Sequence, residues 1–195
     1  SSLNIPAVKA AIVTGIEPVI KTAKEMGNSR YCDNSETPGL SAAIGGGCGS
    51  TQVGHTNAYA TLARGGTYKP VSYILEVENN EGQTIKQWKD EGAKKALDPQ
   101  IAYMLSDILT DAEARRLQFG NPYDYGFNIP GVKTASKTGT TDNGEGEAKD
   151  SWMMSYSPDI ALGVWSGNHD GTPITSSNDP VRRVTHDYME KVHKD

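Results

Sequence analysis

A chain of 195 residues with 36% hydrophobic and 22% charged side chains suits one medium domain, read as 1–195, with enough apolar material for a real core. Its formal charge of −5 and the lack of a basic stripe argue against a nucleic-acid partner. No apolar run approaches a membrane span, the N-terminus is not a signal peptide, and no cofactor motif stands in the chain. It begins Ser1-Ser2 without Met and reads as a piece of something longer.

Pro6 suits a first helical turn, and Ile5, Val8, Ala11 and Ile12 recur at helical spacing up to Gly15. A second helix starts at Glu17-Pro18, turns Val19, Ile20, Ala23 and Met26 inward and stops at Gly27. Ser2 and Asn4 stand just ahead of the first helix, where capping is their local role. Residues 28–50 read as loop. Cys32 and Cys48 either close that loop in an oxidising compartment or remain thiols; the sequence leaves both open. The glycines at 45–47 and 49 lack the Lys-Ser/Thr ending of a phosphate loop and the spacing of a dinucleotide turn. The histidines (His55, His169, His186, His193) have no cysteine or carboxylate at ligand spacing, so no metal site is expected.

Thr51 caps a helix reaching Arg64, stopped by Gly65-Gly66. Tyr73 to Val77 and Thr84 to Trp88 alternate as strands around the turn Asn79-Asn80-Glu81-Gly82. Asp98-Pro99 starts a helix whose Ile101, Met104, Leu105, Ile108 and Leu109 form the cleanest amphipathic face, expected to be core. Phe119, Tyr123, Tyr125 and Phe127 either wall a cleft or cover the core. A strand follows over 135–141, then a polar connection from Thr141 to Asp150. Ser151–Tyr156 and Ile160–Trp165 are strands of an antiparallel meander. Asp179-Pro180 starts a last helix with Val181, Val184, Tyr188 and Val192 on one side. The plan is α+β, an antiparallel sheet covered by helices.

The stretch Ala135-Ser136-Lys137-Thr138-Gly139-Thr140-Thr141 carries the chemistry. On a strand, Lys137, Gly139 and Thr141 share one face, and Thr138 and Thr140 the other. Lys137 supplies charge, Gly139 lets a ligand approach closely, the threonines offer donors to a carboxylate, and edge N–H groups pair with a peptide or an oxyanion. This is equipment for holding an acyl substrate.

Taken together, Ser2-x-Asn4 and Lys137-Thr138-Gly139 resemble two of the three joint motifs of penicillin-binding proteins and class A β-lactamases. The chain resembles the later part of the transpeptidase domain of class A (bifunctional) penicillin-binding proteins. Ser2-Leu3-Asn4-Ile5-Pro6-Ala7-Val8 is similar to the second motif entering its helix. The segment from Asn57 through Ala58-Tyr59-Ala60-Thr61 to Gly65-Gly66 resembles another family stretch. Lys137 to Asp142 is similar to the third motif, and Trp152, Tyr156 to Asp159 and Gly163 to Asn168 resemble the strands after it.

The resemblance implies a penicillin-binding/serine β-lactamase-like transpeptidase fold, incomplete here, with three strands of a five-stranded sheet. It also implies a first motif, Ser-x-x-Lys, which the chain lacks. Ser1 meets Asn4 three places on, Ser2 meets Ile5, Ser72 meets Leu75 and Ser136 meets Gly139. The nucleophile is therefore expected upstream, and the chain alone is expected to be inactive. By resemblance, Ser2 joins proton transfer to the leaving amine and Asn4 orients the missing lysine and the substrate amide. Lys137 steers the substrate carboxylate, which the Thr138 and Thr140 hydroxyls bind, and the Thr140 N–H is one oxyanion donor.

The implied partners are the D-Ala-D-Ala end of a peptidoglycan stem and β-lactams, at the extracytoplasmic face of a bacterial membrane. A D,D-carboxypeptidase or β-lactamase, and a non-catalytic recognition module, are the alternatives. With strands missing, the 160–165 strand is expected to present an uncovered edge or to pair with another chain.

Overall fold

The computed structural model describes residues 2–121, 127, 129–174 and 179–194. Helix α1 (Asn4–Thr14) ends at Gly15, whose φ of 83° is the left-handed backbone that glycine takes without a Cβ penalty. Helix α2 (Ile16–Glu25) follows at once, and both pack on a short 3₁₀ turn, Leu40–Ile44. The loop after α2, which carries that turn, is closed by a Cys32–Cys48 disulfide, which resolves the choice the sequence left open. Helix α3 (Gln52–Ala63) starts as expected, with Thr51 Oγ1 accepting from Gly54 N at 3.1 Å.

Strand β1 (Thr67–Tyr68) pairs with β4 (Lys94–Lys95), a short ladder with no alternation to announce it. Between them β2 (Glu76–Glu78) and β3 (Thr84–Gln87) form the expected hairpin. It is shorter than its alternation suggests, since Tyr73 and Ile74 lie outside the ladder and are exposed. Helix α4 (Pro99–Thr110) begins with Asp98 Oδ1 accepting from Gln100 N, and α5 (Arg116–Phe119) is a single turn.

The main sheet is β5 (Ala135–Asp142), β6 (Ala148–Tyr156) and β7 (Ala161–Gly167), antiparallel in the order β5-β6-β7. The span from Thr141 to Asp150, expected as a connection, is half strand: Thr141 and Asp142 end β5, and Ala148 to Asp150 begin β6. The Asn143 N–H donates to Glu147 O and its side chain accepts from the Glu145 and Glu147 N–H groups, which tightens the turn enough for both strands to run on.

Two cores sit on the two sheet faces. On the first, Ala135 and Tyr156 pack with Leu62 of α3 and Ala102 of α4. On the second, Met153 packs with Phe127 and with Val181 of the last helix, α6 (Asp179–Val192). Phe119 joins that second core, and both Phe119 and Phe127 also line a small cavity, so the described aromatics of the 118–131 segment do both; Tyr123 and Tyr125 lie outside the described residues.

The α4 expectation needs correcting. Ile101 is 55% exposed, Met104 62% and Ile108 63%, while Ala102 is 1% exposed. Helix α4 turns its small residues to the sheet, with Ser106 Oγ 2.9 Å from the Tyr156 hydroxyl, because only short side chains fit a close helix–sheet approach. Helix α6 likewise buries Val181, Thr185 and Met189, and its Val184, Tyr188 and Val192 face outward. In α1, Ile5 and Ile12 are exposed and Ala11 is buried. Strand β7 ends the sheet, and no strand among the described residues covers its outer edge. One carbonyl, Gly163 O, accepts from Gln52 Nε2 at 2.9 Å.

Candidate active site

Strand β5 is the other edge of the sheet, and its register sorts the site. Lys137 lies opposite Met154, Gly139 opposite Trp152 and Thr141 opposite Asp150, so these six share the face that looks toward α3. Thr138, opposite Met153, and Thr140, opposite Ser151, take the other face. Thr138 is buried, whereas Thr140 and Thr141 are exposed toward the end of the strand. At Gly139 a Cβ would stand 3.4 Å from Trp152 Cβ, ordinary contact, so the glycine leaves a gap in the wall without being required by packing.

Lys137 Nζ lies 2.6 Å from Ser2 Oγ and 2.6 Å from Thr138 O. Both partners are neutral. Burial therefore disfavours the ammonium and holds the Lys137 pKa below the ordinary lysine range. Ser2 is fixed from its other side, where its N–H donates to Gln118 Oε1 at 2.7 Å. The capping role read locally for Ser2 and Asn4 does not hold: Leu3 occupies the N-cap position of α1 and no side chain caps the helix. Asn4 is the first residue of α1 and is exposed; it is Ser2 that the fold brings to Lys137.

A cavity of about 710 Å³ opens in front of this edge, bounded by Lys137, Gly139, Thr140 and Trp152 on the sheet and by Leu105 and Leu109 of α4. A smaller one, about 240 Å³, lies behind Ser2 and Lys137, against Arg115 and Ile108. Leu105, Ile108 and Leu109 of α4 thus line open space beside the motif residues, although Leu109 also packs against the first core.

The α3 wall of the larger cavity carries a polar chain that sequence reasoning missed. Asn28 is 2% exposed; its Oδ1 accepts from the Ser50 hydroxyl at 2.8 Å, and its Nδ2 donates to His55 Nδ1 at 3.2 Å. With Nδ1 accepting, the ring proton of His55 sits on Nε2. Burial lowers the His55 pKa and favours the neutral ring, which meets Trp152 edge-on at 6.0 Å between centroids. Tyr59 beside it is pushed up to about 12 by burial and by Tyr156. No local signal links Asn28 to His55, which stand 27 positions apart in different elements.

The family described as the penicillin binding protein transpeptidase domain matches residues 4–186. The chain belongs to this family. Among curated transpeptidase relatives it is similar to penicillin-binding protein 1A/1B of Bacillus subtilis, 29% identical over 177 residues, covering 85% of this chain and 18% of that protein. Penicillin-binding protein 2D of the same organism is 29% identical over 196 residues, covering 98% of this chain and 26% of that protein. The fold is similar to that of the penicillin-binding protein PonA1 from Mycobacterium tuberculosis, with a TM-score of 0.74 at 20% identity over 90% of this chain and 49% of that one. PonA1 has also been solved in complex with penicillin V. The transpeptidase segment in hand thus spans about a fifth to a quarter of the length of those two curated relatives.

Proposed function

We propose that residues 1–195 form the substrate-holding half of a serine D,D-transpeptidase that cross-links peptidoglycan stem peptides. The observation that carries this is the Lys137–Ser2 contact: a half-buried lysine, with no ion pair among the described residues, against a hydroxyl at the edge of the sheet. A serine outside residues 1–195, on a segment entering the larger cavity, attacks the D-Ala-D-Ala carbonyl. Its Oγ bonds to the acyl carbon, the peptide C–N bond breaks, and D-Ala leaves as the amine after taking a proton. Ser2, hydrogen-bonded to Lys137, passes that proton. An amine from a second stem then attacks the ester, the C–O bond breaks, and the serine regains its hydrogen.

Lys137 supplies the field for the substrate carboxylate and Thr140 its hydroxyl. The Thr140 N–H, on a strand at the sheet edge, serves as an oxyanion donor, a role typically worth about 10²–10³ in rate. Thr138 is buried on the opposite face from Lys137 and acts by holding that lysine through its carbonyl. Gly139 and Thr141 line the path of the peptide, and Asn4 orients the arriving segment. The Cys32–Cys48 disulfide supports an oxidising, extracytoplasmic location.

The test is acylation by a labelled penicillin. The full-length protein becomes covalently labelled and residues 1–195 alone do not. A well-folded full-length protein that resists labelling, or labelling of 1–195 alone, overturns the reading.

A further inference from the structure

Helix α1 does not by itself hold Ser2. Leu3 takes the N-cap position and no side chain caps the helix. Leu3 and Ile5 are exposed, so little packing fixes the chain at the entry to α1. Two hydrogen bonds hold Ser2 instead, and both reach across the molecule. Its hydroxyl accepts from Lys137 Nζ at 2.6 Å, and its N–H donates to Gln118 Oε1 at 2.7 Å. One bond would leave the residue free to pivot about the lysine. The second, made by the backbone, fixes where the hydroxyl points.

Gln118 can anchor Ser2 because the turn that carries it is itself tied down. Asp111 Oδ1 accepts from Ala114 N at 3.0 Å and opens a short 3₁₀ turn, Glu113–Arg115, which runs straight into α5. Arg115 is buried; its guanidinium lies 5.0 Å from the Phe127 ring centroid and donates to Leu109 O, which ties the turn to α4. Phe119, next to Gln118 in the chain, packs on Phe127 at 4.8 Å between centroids. Gln118 itself is exposed and belongs to neither core. One neutral hydrogen bond at the surface adds only modestly to stability, so its consequence is geometric.

The chemistry of the side chain matters as well as its reach. A carboxylate would accept the same N–H, yet it would set an anion two hydrogen bonds from Lys137 and favour the ammonium. The amide holds Ser2 without adding charge. The titratable groups that share the two cavities with Lys137 are Asp111, Arg115, Asp150, His55, Tyr31 and Tyr59. Among the described residues none of them is hydrogen-bonded to its Nζ.

We propose that Gln118 is a positioning residue for acyl transfer, aiming the Ser2 hydroxyl so that it delivers a proton to the leaving amine. This rests on the acyl-transfer reading above. In that step Ser2 Oγ yields its proton to the departing nitrogen and regains the one that the attacking serine releases. Gln118 touches neither substrate nor reacting atoms and acts through Ser2 alone.

The experiment follows acylation of the full-length protein by a labelled penicillin, whose ring nitrogen is the leaving amine, with binding and acylation constants separated by stopped flow. Gln118→Ala is expected to lower the acylation rate constant about tenfold, with binding and melting temperature little changed. Gln118→Glu keeps an acceptor for the Ser2 N–H. It is expected to restore acylation at neutral pH and to move the alkaline fall of the pH–rate profile upward, since its charge favours the Lys137 ammonium. A residue that merely supported the fold would not move that limb. Acylation of Gln118→Ala at the native rate overturns the proposal, as does a loss confined to binding. Acylation of Gln118→Glu as slow as that of Gln118→Ala, or an alkaline limb that stays in place, overturns it too. No labelling of the unsubstituted full-length protein overturns the acyl-transfer reading and this inference with it, whereas the other outcomes bear on Gln118 alone.

Discussion

Lys137 and Ser2, 135 positions apart in the chain, meet with Nζ 2.6 Å from Oγ, and among the described residues no carboxylate attends the contact. The lysine is held by two oxygens that are both neutral. This single relationship governs both the electrostatics of the site and its dependence on pH.

Because burial lowers the Lys137 pKa in the folded protein, the unfolded chain binds the extra proton between the two pKa values. The cost to stability is fully present below the folded pKa and fades as pH rises toward the unfolded value. Lys137→Met removes it. The melting temperature of Lys137→Met relative to the native chain is therefore expected to be highest near neutral pH and to fall as pH approaches the ordinary lysine range. Thermal melts over that range check it; a difference that grows with pH contradicts it.

In the full-length protein, Lys137→Met is expected to cut the acylation rate by a labelled penicillin by at least about a hundredfold, on the scale of losing one preorganised electrostatic contact. Ser2→Ala, which leaves the lysine in place, is expected to slow acylation while retaining measurable binding. Stopped-flow labelling separates the binding and acylation constants.

The Cys32–Cys48 disulfide closes a loop that contributes Ile44 and Cys48 to the larger cavity. For a loop spanning 16 positions, opening the bond is expected to cost about 3 kcal/mol, chiefly by freeing the unfolded chain. Denaturant unfolding of Cys32→Ser/Cys48→Ser against the native protein measures it, and an unchanged midpoint contradicts it.

Strand β7 lies against α3 at Gly163, where a Cβ would fall 2.2 Å from Thr56 Oγ1 and 2.9 Å from Met154 Cε. Gly163→Ala is expected to destabilise by about 1–3 kcal/mol through overpacking. The Thr56→Ala substitution alongside it removes the nearest atom and is expected to recover part of that loss. Urea titrations of the single and double variants decide it.

The outer edge of β7 and the exposed apolar side chains of α4 predict that residues 1–195 associate with themselves as concentration rises. Sedimentation velocity reads the effect directly, and a single monomeric species at every concentration contradicts it.

Where most elements lie, and what the β5 edge carries, was legible in the order of residues. Thr51, Asp98 and Gly15 mark helix ends through local hydrogen bonds and backbone freedom, which need no tertiary context. Strand alternation likewise placed Lys137, Gly139 and Thr141 on one face before any partner was known. Which way a helix turns was not legible. The large apolar residues of α4 promised a core face, yet the sheet accepted Ala102 and Ser106, because the depth of the gap between two elements depends on both of them. Ser2 against Lys137, Asn28 against His55 and Asp150 under Trp165 were decided only by the tertiary structure. Each joins residues from separate elements or strands, and contacts of that kind exist only once the chain has folded and the sheet register is set.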